Sequence, residues 1–397
     1  MAQTKGATLI GIVATLLAAL SLRIPTISLG PLLPDIRTTT GYGETLLSLL
    51  TSVPLAMTLV IAPVAPWIAT QLGRNRVISL ALIAIAAGTS IRSLPGDAAL
   101  ITGTLLLGLG IAVGTVLLPA AISAETSSLR ARLTGTYSMA LSLGPALALG
   151  LTIPIMHTTG LGWRGTLAIW SSCTVLALLC WLLHTGINLW APTTTAQPEP
   201  APKTSGIRTA VTDFRVWQIA LYLGITSITF YTTSTWLPTT LVMDGMSPGA
   251  AGSYAAIINI VAIPFAFIAP LIIRRGYARV LAPLAPVGAI LGVVVLLSTG
   301  TAQVLVSVLL FGISQGLCLG VSYDQVVRYA SSPKHAASVS AITQAFGVAL
   351  AAIGPFAYGA GLEATASATI SLIGLGLVVV LQMLLGLRTG TFIAQRQ

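Results

Sequence analysis

Twelve apolar stretches, each long enough to cross a lipid bilayer, constrain the fold of this chain more than any other feature of its sequence. A helix needs about 20 apolar residues to span the hydrocarbon core. The stretches lie near residues 7–34, 45–70, 76–94, 99–122, 131–156, 163–187, 215–238, 249–273, 278–298, 301–328, 336–360 and 364–387. They are continuously apolar, without the alternation that transmembrane β-strands require. The sequence therefore predicts an all-α membrane protein with twelve transmembrane helices.

The charge content and its distribution agree with lipid as the surrounding solvent. Only 7% of the residues are charged, whereas a soluble domain has about 25%. The net charge of +10 is spread in groups of one to three cations, so the sequence predicts no nucleic-acid partner. Fifteen of the 19 Lys and Arg residues fall on one side of the predicted spans. The positive-inside rule then predicts a protein of the cytoplasmic membrane whose termini both lie in the cytoplasm.

A segment rich in proline and polar residues divides the spans into two sets of six. It predicts an N-terminal six-helix bundle over residues 1–189, a cytoplasmic linker over 190–214 and a C-terminal six-helix bundle over 215–397.

Short motifs recur between the two sets of spans. Gly73 and Gly144 match Gly276 and Gly347 at an offset of 203 residues, and LLLG at 105–108 matches LLFG at 309–312 at an offset of 204. Parallel six-helix repeats, with a substrate site near the membrane midplane, characterise the major facilitator architecture. The sequence therefore predicts this fold.

Arg23 is the most informative polar residue because it lies well inside the first predicted span. An arginine at the centre of a membrane helix costs roughly 2.5–3.5 kcal/mol on insertion scales, so such residues usually face a cavity and a partner. Ala19, Thr26 and Gly30 share its predicted helix face and leave space beside the guanidinium. A planar or carboxylate-like anion matches the donors of this group. A structural arginine bonded to carbonyl oxygens is the alternative.

The seventh span has no matching cation, because an offset of 204 residues leads from Arg23 to Ser227. Ser227 and Tyr231 lie on one polar face of this span. Five more polar residues lie deep in predicted spans, namely Thr115, Tyr137, Asn259, Gln315 and Gln344. We predict solute contacts for these side chains, although hydrogen bonds between helices would use the same groups.

Asp324 and Arg328 are four residues apart near the cytoplasmic end of the tenth span. This spacing favours a structural ion pair over a proton carrier. A carboxylate at the centre of a span is missing from the pattern, which weakens a proton-driven mechanism and leaves a coupling proton open. The sequence also lacks metal-ligand spacing, a phosphate loop and a nucleophile-and-base pair. It predicts no metal, no cofactor and no catalytic residue, and it disfavours a membrane-embedded enzyme or sensor.

Several motifs resemble the cyanate and 2-nitroimidazole transporter family of the major facilitator superfamily. They are LRIP at 22–25, GPLL at 30–33, GIAVGTVLLP at 110–119, GWR at 162–164 and WLP at 236–238, followed by Gln315 and Gln344. The resemblance covers nearly the whole chain apart from the linker and the tail. It implies secondary transport by alternating access. Thr115 stands where asparagine is expected in the family, which implies a changed substrate preference.

The loop between the second and third spans resembles the superfamily signature G-x-x-x-D-R-x-G-R. It keeps Gly73 and Arg74, with Arg76 nearby, but has Thr70 and Gln71 where the aspartate and the first arginine are expected. The resemblance implies a gating or structural role for Arg74 and Arg76 and puts the usual charge relay in doubt.

These features predict a monomeric carrier for a small anionic or polar planar solute. Arg23 would bind the anionic group, and Tyr231, Gln315 and Gln344 would contact the rest of the solute. Proton-coupled efflux of drug-like molecules is the alternative within the same class. It is favoured by Gly144-Pro145, which resembles a motif in the fifth helix of drug antiporters.

Overall fold

The computed structural model describes residues 2–61, 63–186, 211–299, 303–329 and 333–394. Within these ranges the regular structure is helical and contains no β-strand, which confirms the prediction of an all-α protein. The helices of the first half are α1 (Ala2–Ser21), α2 (Ile24–Ile27), α3 (Leu29–Thr40), α4 (Glu44–Ile61), α5 (Ala65–Leu72), α6 (Arg74–Ile91), α7 (Asp97–Ser123), α8 (Ser127–Thr159) and α9 (Gly162–Thr185). Those of the second half are α10 (Phe214–Met243), α11 (Pro248–Ile272), α12 (Ala278–Leu284), α13 (Val287–Thr299), α14 (Val304–Tyr329), α15 (Pro333–Thr365) and α16 (Ala368–Ala394).

Ten segments among the described residues are long and apolar enough to cross a membrane. One of them, Pro248–Ser298, has 51 residues, which is enough for two crossings of about 20 residues each. Helix α10 has 30 residues and is also long enough, although seven threonines and two serines make it more polar. Two crossings in Pro248–Ser298 and one in α10 bring the total to the twelve predicted from the sequence.

The helices group into two compact units. The first unit contains Met1–Asp35 and Val53–Ala201, and the second contains Ile36–Ser52 and Pro202–Gln397. The six-helix bundles at 1–189 and 215–397 remain predictions, and residues 190–210 of the predicted linker lie outside the described residues.

Residues 36–52 pack within the second unit. A carboxylate oxygen of Glu363, near the end of α15, accepts a 2.7 Å hydrogen bond from the backbone N–H of Thr45, which lies 318 residues earlier at the start of α4. Arg37 Nη1 lies 2.5 Å from Oε1 of Glu44 in the same segment. A negative charge is stabilising at the N-terminus of a helix. Glu363 therefore caps α4 from a helix that is distant in sequence.

The internal repeat is visible in the packing of each unit. A Cβ atom added to Gly144 would lie 3.5 Å from Leu20, and one added to Gly347 would lie 3.4 Å from Leu223. Both members of the second pair follow the first by 203 residues. The contact between α1 and α8 in the first unit thus recurs between α10 and α15 in the second.

Two matching glycines of the repeat have the same unusual backbone conformation. Gly73, between α5 and α6, has a φ of 85°, and Gly276, in the π-helical turn Ile273–Tyr277, has a φ of 93°. Glycine adopts positive φ at little cost, whereas other residues do so rarely. This backbone requirement accounts for the glycine in both copies of the motif.

The first predicted span, 7–34, corresponds to one membrane segment, Leu9–Thr40, but this segment is not one uninterrupted helix. The structure divides this stretch into α1, the single turn α2, and α3. The second predicted span, 45–70, is likewise divided, because α4 ends at Ile61 and α5 begins at Ala65. Prolines lie at or beside these divisions, and a proline cannot donate the backbone hydrogen bond that continues a helix.

Candidate functional site

Arg23 lies at the first break in the N-terminal membrane segment. It directly precedes α2, and its side chain is half-buried. The N–H groups of Leu22 and Arg23 donate to carbonyl oxygens three residues earlier, at 3.2 and 3.0 Å, instead of four residues earlier. Pro25 has no N–H group for the carbonyl of Ser21. Broken helices of this kind supply the solute and ion sites of many transporters.

Small residues of two neighbouring helices surround this break. A Cβ atom on Gly144, in α8, would lie 3.2 Å from Cβ of Arg23. A Cβ atom on Gly114, in α7, would lie 2.6 Å from a methyl group of Leu22. Thr26 is buried, and its hydroxyl has no hydrogen-bond partner among the described residues. The chain therefore brings a guanidinium, small residues and an unsatisfied hydroxyl to one region of the first unit.

Thr226 is the counterpart of Arg23 in the second unit. The paired glycine contacts described above set the offset of the repeat at 203 residues in this region, which leads from position 23 to position 226. The predicted counterpart, Ser227, is therefore one residue too far along the chain. Thr226 is only 2% exposed, whereas Ser227 is half-buried and its hydroxyl bonds the carbonyl of Leu223 at 3.0 Å.

Thr226 lies at the centre of a buried polar network. Its hydroxyl accepts a 2.7 Å hydrogen bond from the side-chain amide of Gln382 and donates a 3.0 Å bond to the carbonyl of Tyr222. The Gln382 amide also donates to the Tyr222 carbonyl, at 3.1 Å. Gln315 donates to the carbonyl of Thr226 at 3.4 Å. Of the predicted site residues, Gln315 joins this network, while Tyr222, Thr226 and Gln382 were not predicted.

The other candidates of the second unit make local contacts. Tyr231 is half-buried and packs edge-on against Phe230, with ring centroids 4.8 Å apart. Gln344 has an exposed side chain whose amide donates to the hydroxyl of Ser340 at 2.7 Å. Asn259 is buried, and its amide lies 3.4 Å from a carbonyl oxygen one turn earlier in α11. Each of these side chains contacts a residue close to it in sequence.

The remaining candidates of the first unit lie on three helices. Thr115 and Tyr137 are half-buried in α7 and α8. Arg74 donates a 3.3 Å hydrogen bond to the carbonyl of Ala120 near the end of α7, and Arg76 lies in the first turn of α6. Arg74 thus links the start of α6 to the end of α7.

Asp324 and Arg328 form an ion pair within α14. The Nε atom of Arg328 lies 2.6 Å from a carboxylate oxygen of Asp324, and both side chains are largely buried. In the described part of the chain, no three His, Cys, Asp or Glu side chains are placed so that they could hold a metal ion.

Known proteins resemble this chain over nearly its whole length. Residues 11–355 match the family described as Major Facilitator Superfamily. The 2-nitroimidazole transporter of Escherichia coli (strain K12) is 33% identical over 384 residues, covering 96% of this chain and 95% of the relative. The cyanate transport protein CynX of the same strain is 26% identical over 345 residues and covers 86% of each chain.

Solved structures share the fold. A bacterial homolog to the human lysosomal transporter Spinster, in an inward-facing and unoccupied conformation, matches with a TM-score of 0.73 and 18% identity, covering 98% of this chain and 96% of that chain. The D-xylose-proton symporter matches with a TM-score of 0.71 and 14% identity, covering 96% of each chain. At these identities the likeness concerns the fold alone.

Proposed function

This chain belongs to the Major Facilitator Superfamily and is a membrane transporter, and from this premise we propose that it carries a small planar solute, anionic or polar, by alternating access. The relatives named for 2-nitroimidazole and cyanate support this solute class. Cyanate is a small linear anion, and 2-nitroimidazole is a compact planar polar heterocycle. The carrier would work without a cofactor and without catalysing a reaction.

The observation that carries the proposal is the position of Arg23. Arg23 lies at a break in the first membrane segment, and its Cβ atom lies close to Gly144. A guanidinium offers planar, charged donors that suit a planar anion or a nitro group. The cost of an arginine at this depth is offset when a partner binds it. We therefore assign recognition of the anionic or electron-rich edge of the solute to Arg23.

Further solute contacts are proposed for the remaining candidates. Gln315 offers an amide beside the Thr226 network, and Tyr231 offers a ring that can stack on a planar solute. Gln344 has an exposed amide, while Thr115 and Tyr137 are half-buried in the unit that holds Arg23. Ser227 and Asn259 are weaker candidates because their polar groups already bond carbonyl oxygens of their own helices.

Ligand-dependent thermal stability of the purified protein tests the assignment. Cyanate, 2-nitroimidazole, acetate and the cation tetraphenylphosphonium form the panel, and wild type is compared with Arg23→Gln. A ligand at a hundred times its Kd stabilises the protein by about 2.7 kcal/mol. We expect cyanate or 2-nitroimidazole to raise the melting temperature of wild type and to lose this effect in Arg23→Gln.

Arg164→Gln is the matched control for this experiment. Arg164 also lies in the first unit, and its guanidinium stacks 4.1 Å above the ring of Trp163, so its loss should leave ligand stabilisation intact. Stabilisation by the cation alone, unaffected by Arg23→Gln, would contradict the proposal and favour efflux of drug-like molecules instead.

We also propose a plasma-membrane location, cytoplasmic termini and a monomeric carrier. The excess of Lys and Arg on one side of the spans supports the orientation. The orientation is tested with single cysteines introduced near each terminus and a membrane-impermeant maleimide applied to whole cells. Labelling without lysis would contradict cytoplasmic termini. A coupling proton is proposed as well, and solute uptake into proteoliposomes with and without a pH gradient tests that point.

A further inference from the structure

Arg92 is a charged side chain buried completely within the first unit. It follows the last residue of α6 and has no exposed surface. Its Nη2 atom donates a hydrogen bond to the carbonyl oxygen of Pro25. The Nε and Nη1 atoms have no hydrogen-bond partner among the described residues. Burying a charge with so few partners is strongly unfavourable, and a single bond to a neutral carbonyl does not offset that cost.

The acceptor of this bond lies in a segment that needs outside support. Pro25 belongs to α2, a single turn of four residues with breaks on both sides. A turn of this length is not stable by itself, because helix nucleation is costly. The hydroxyl of Ser28 lies 3.5 Å from the same carbonyl oxygen. The orientation of α2, and of Arg23 directly before it, therefore depends on contacts with groups outside the turn.

The backbone that carries Arg92 packs closely against α7. A Cβ atom on Gly103, in α7, would lie 2.6 Å from Cβ of Arg92, and one on Gly88, in α6, would lie 2.7 Å from the carbonyl oxygen of Gly103. The backbones of α6 and α7 are thus in direct contact at this level, as small residues allow. A side chain anchored here can hold the short turn α2 in a fixed orientation.

We infer that Arg92 is a positioning residue for solute binding. By fixing the carbonyl of Pro25, it orients the turn next to Arg23, and its positive charge makes the same region more attractive to an anion. The inference rests on the proposed function, in which Arg23 binds the solute. An uncharged donor could bind the carbonyl oxygen of Pro25 without the free-energy cost of burying a charge. The added positive charge explains why an arginine occupies this position.

Transport kinetics of Arg92→Met in proteoliposomes test the inference. The probe is radiolabelled cyanate or 2-nitroimidazole, whichever the wild type transports. Methionine removes an unpaired buried charge at similar volume, a change that often preserves stability, and Arg92→Leu replaces it if the methionine variant is not recovered folded. We expect KM to rise about tenfold and kcat to stay within about twofold, because a misplaced Arg23 weakens binding.

Three further variants separate positioning from a general structural role. Arg92→Lys keeps a donor and the charge, so KM should return to within about threefold of wild type. Arg164→Met, which removes another arginine of the same unit, should leave KM unchanged. In the Arg23→Gln background, Arg92→Met should raise KM by less than it does in wild type, since two residues of which one acts partly through the other are not additive.

The outcomes distinguish the inference from the proposed function. If Arg23→Gln leaves KM unchanged, the proposed function fails, and the role of Arg92 fails with it. If Arg23→Gln raises KM while Arg92→Met behaves like Arg164→Met, only the role of Arg92 is overturned. A lower kcat with unchanged KM in Arg92→Met overturns it as well, because that result indicates a general effect on the transport cycle.

Discussion

A methyl group placed on Gly144 would lie 3.2 Å from the Cβ atom of Arg23. This distance is shorter than most contacts that real Cβ atoms make, so α8 packs closely against the break in the first membrane segment. Gly144 lies in α8 and Arg23 lies between α1 and α2 of the same unit, and the space beside the Cβ atom of Arg23 depends on the missing side chain of Gly144.

Gly144→Val should therefore impair solute binding by displacing Arg23. We expect about a tenfold loss of transport at limiting solute, equivalent to about 1.4 kcal/mol, and a smaller loss for Gly144→Ala. Uptake into proteoliposomes measures the effect. Gly135→Ala is the control, because Gly135 lies in the same helix with open space around its Cβ position. Equal transport by Gly144→Val and Gly135→Ala would mean that the arginine is not confined by α8.

Gly276→Ala should destabilise the protein through its backbone alone. Gly276 has a φ of 93° with nothing within 4 Å of its Cβ position, so the cost comes from the left-handed conformation, at about 1–2 kcal/mol. Gly276→Asn should cost less, since asparagine tolerates this region. Thermal unfolding followed by tryptophan fluorescence measures the difference.

Gly374→Ala provides the opposite control within the same unit. Gly374 lies inside α16 with an ordinary helical backbone and open space around it, so alanine should stabilise the helix by about 0.5–1 kcal/mol. If Gly276→Ala and Gly374→Ala shifted the melting temperature in the same direction, backbone conformation would not determine the effect of the added methyl group.

The polar network of the second unit should behave as a coupled pair. Gln382, which is 2% exposed, bonds the hydroxyl of Thr226 at 2.7 Å, and hydrogen bonds inside membrane proteins contribute about 0.6–1.7 kcal/mol. Gln382→Leu and Thr226→Val should each lower the melting temperature, and the double variant should lose less than the sum. Additive losses would show that the two side chains do not depend on each other.

The sequence was sufficient for the class of fold because lipid imposes a simple rule. Long apolar runs must be helices, because the hydrocarbon core offers backbone groups no other hydrogen-bond partners. The sequence also predicts the internal repeat, because Gly73 and Gly276 both meet the same requirement for a positive φ. These features depend on local composition and spacing, which a single sequence contains.

The details of the candidate site were less accessible. The break at Arg23 depends on Pro25, a visible signal, but proline is tolerated in membrane helices and does not by itself predict where a helix ends. Thr226 was missed because the motifs give offsets of 203 and 204, and only the glycine contacts decide between them. Arg92 lies near the end of the third predicted span, 76–94, and nothing in the sequence indicates that its side chain is buried against a carbonyl 67 residues earlier.

Asp324→Asn should separate a structural ion pair from a proton carrier. Arg328 pairs with Asp324 at 2.6 Å within one helix, in a largely buried setting, so removing the negative charge should lower the free energy of unfolding by about 1–3 kcal/mol. The response of solute uptake to an imposed pH gradient should not change, because the carboxylate is engaged by the arginine. Arg328→Gln should produce a similar loss of stability, since it breaks the same pair. A variant of Asp324 that keeps its stability but no longer responds to the gradient would identify the carboxylate as a proton carrier.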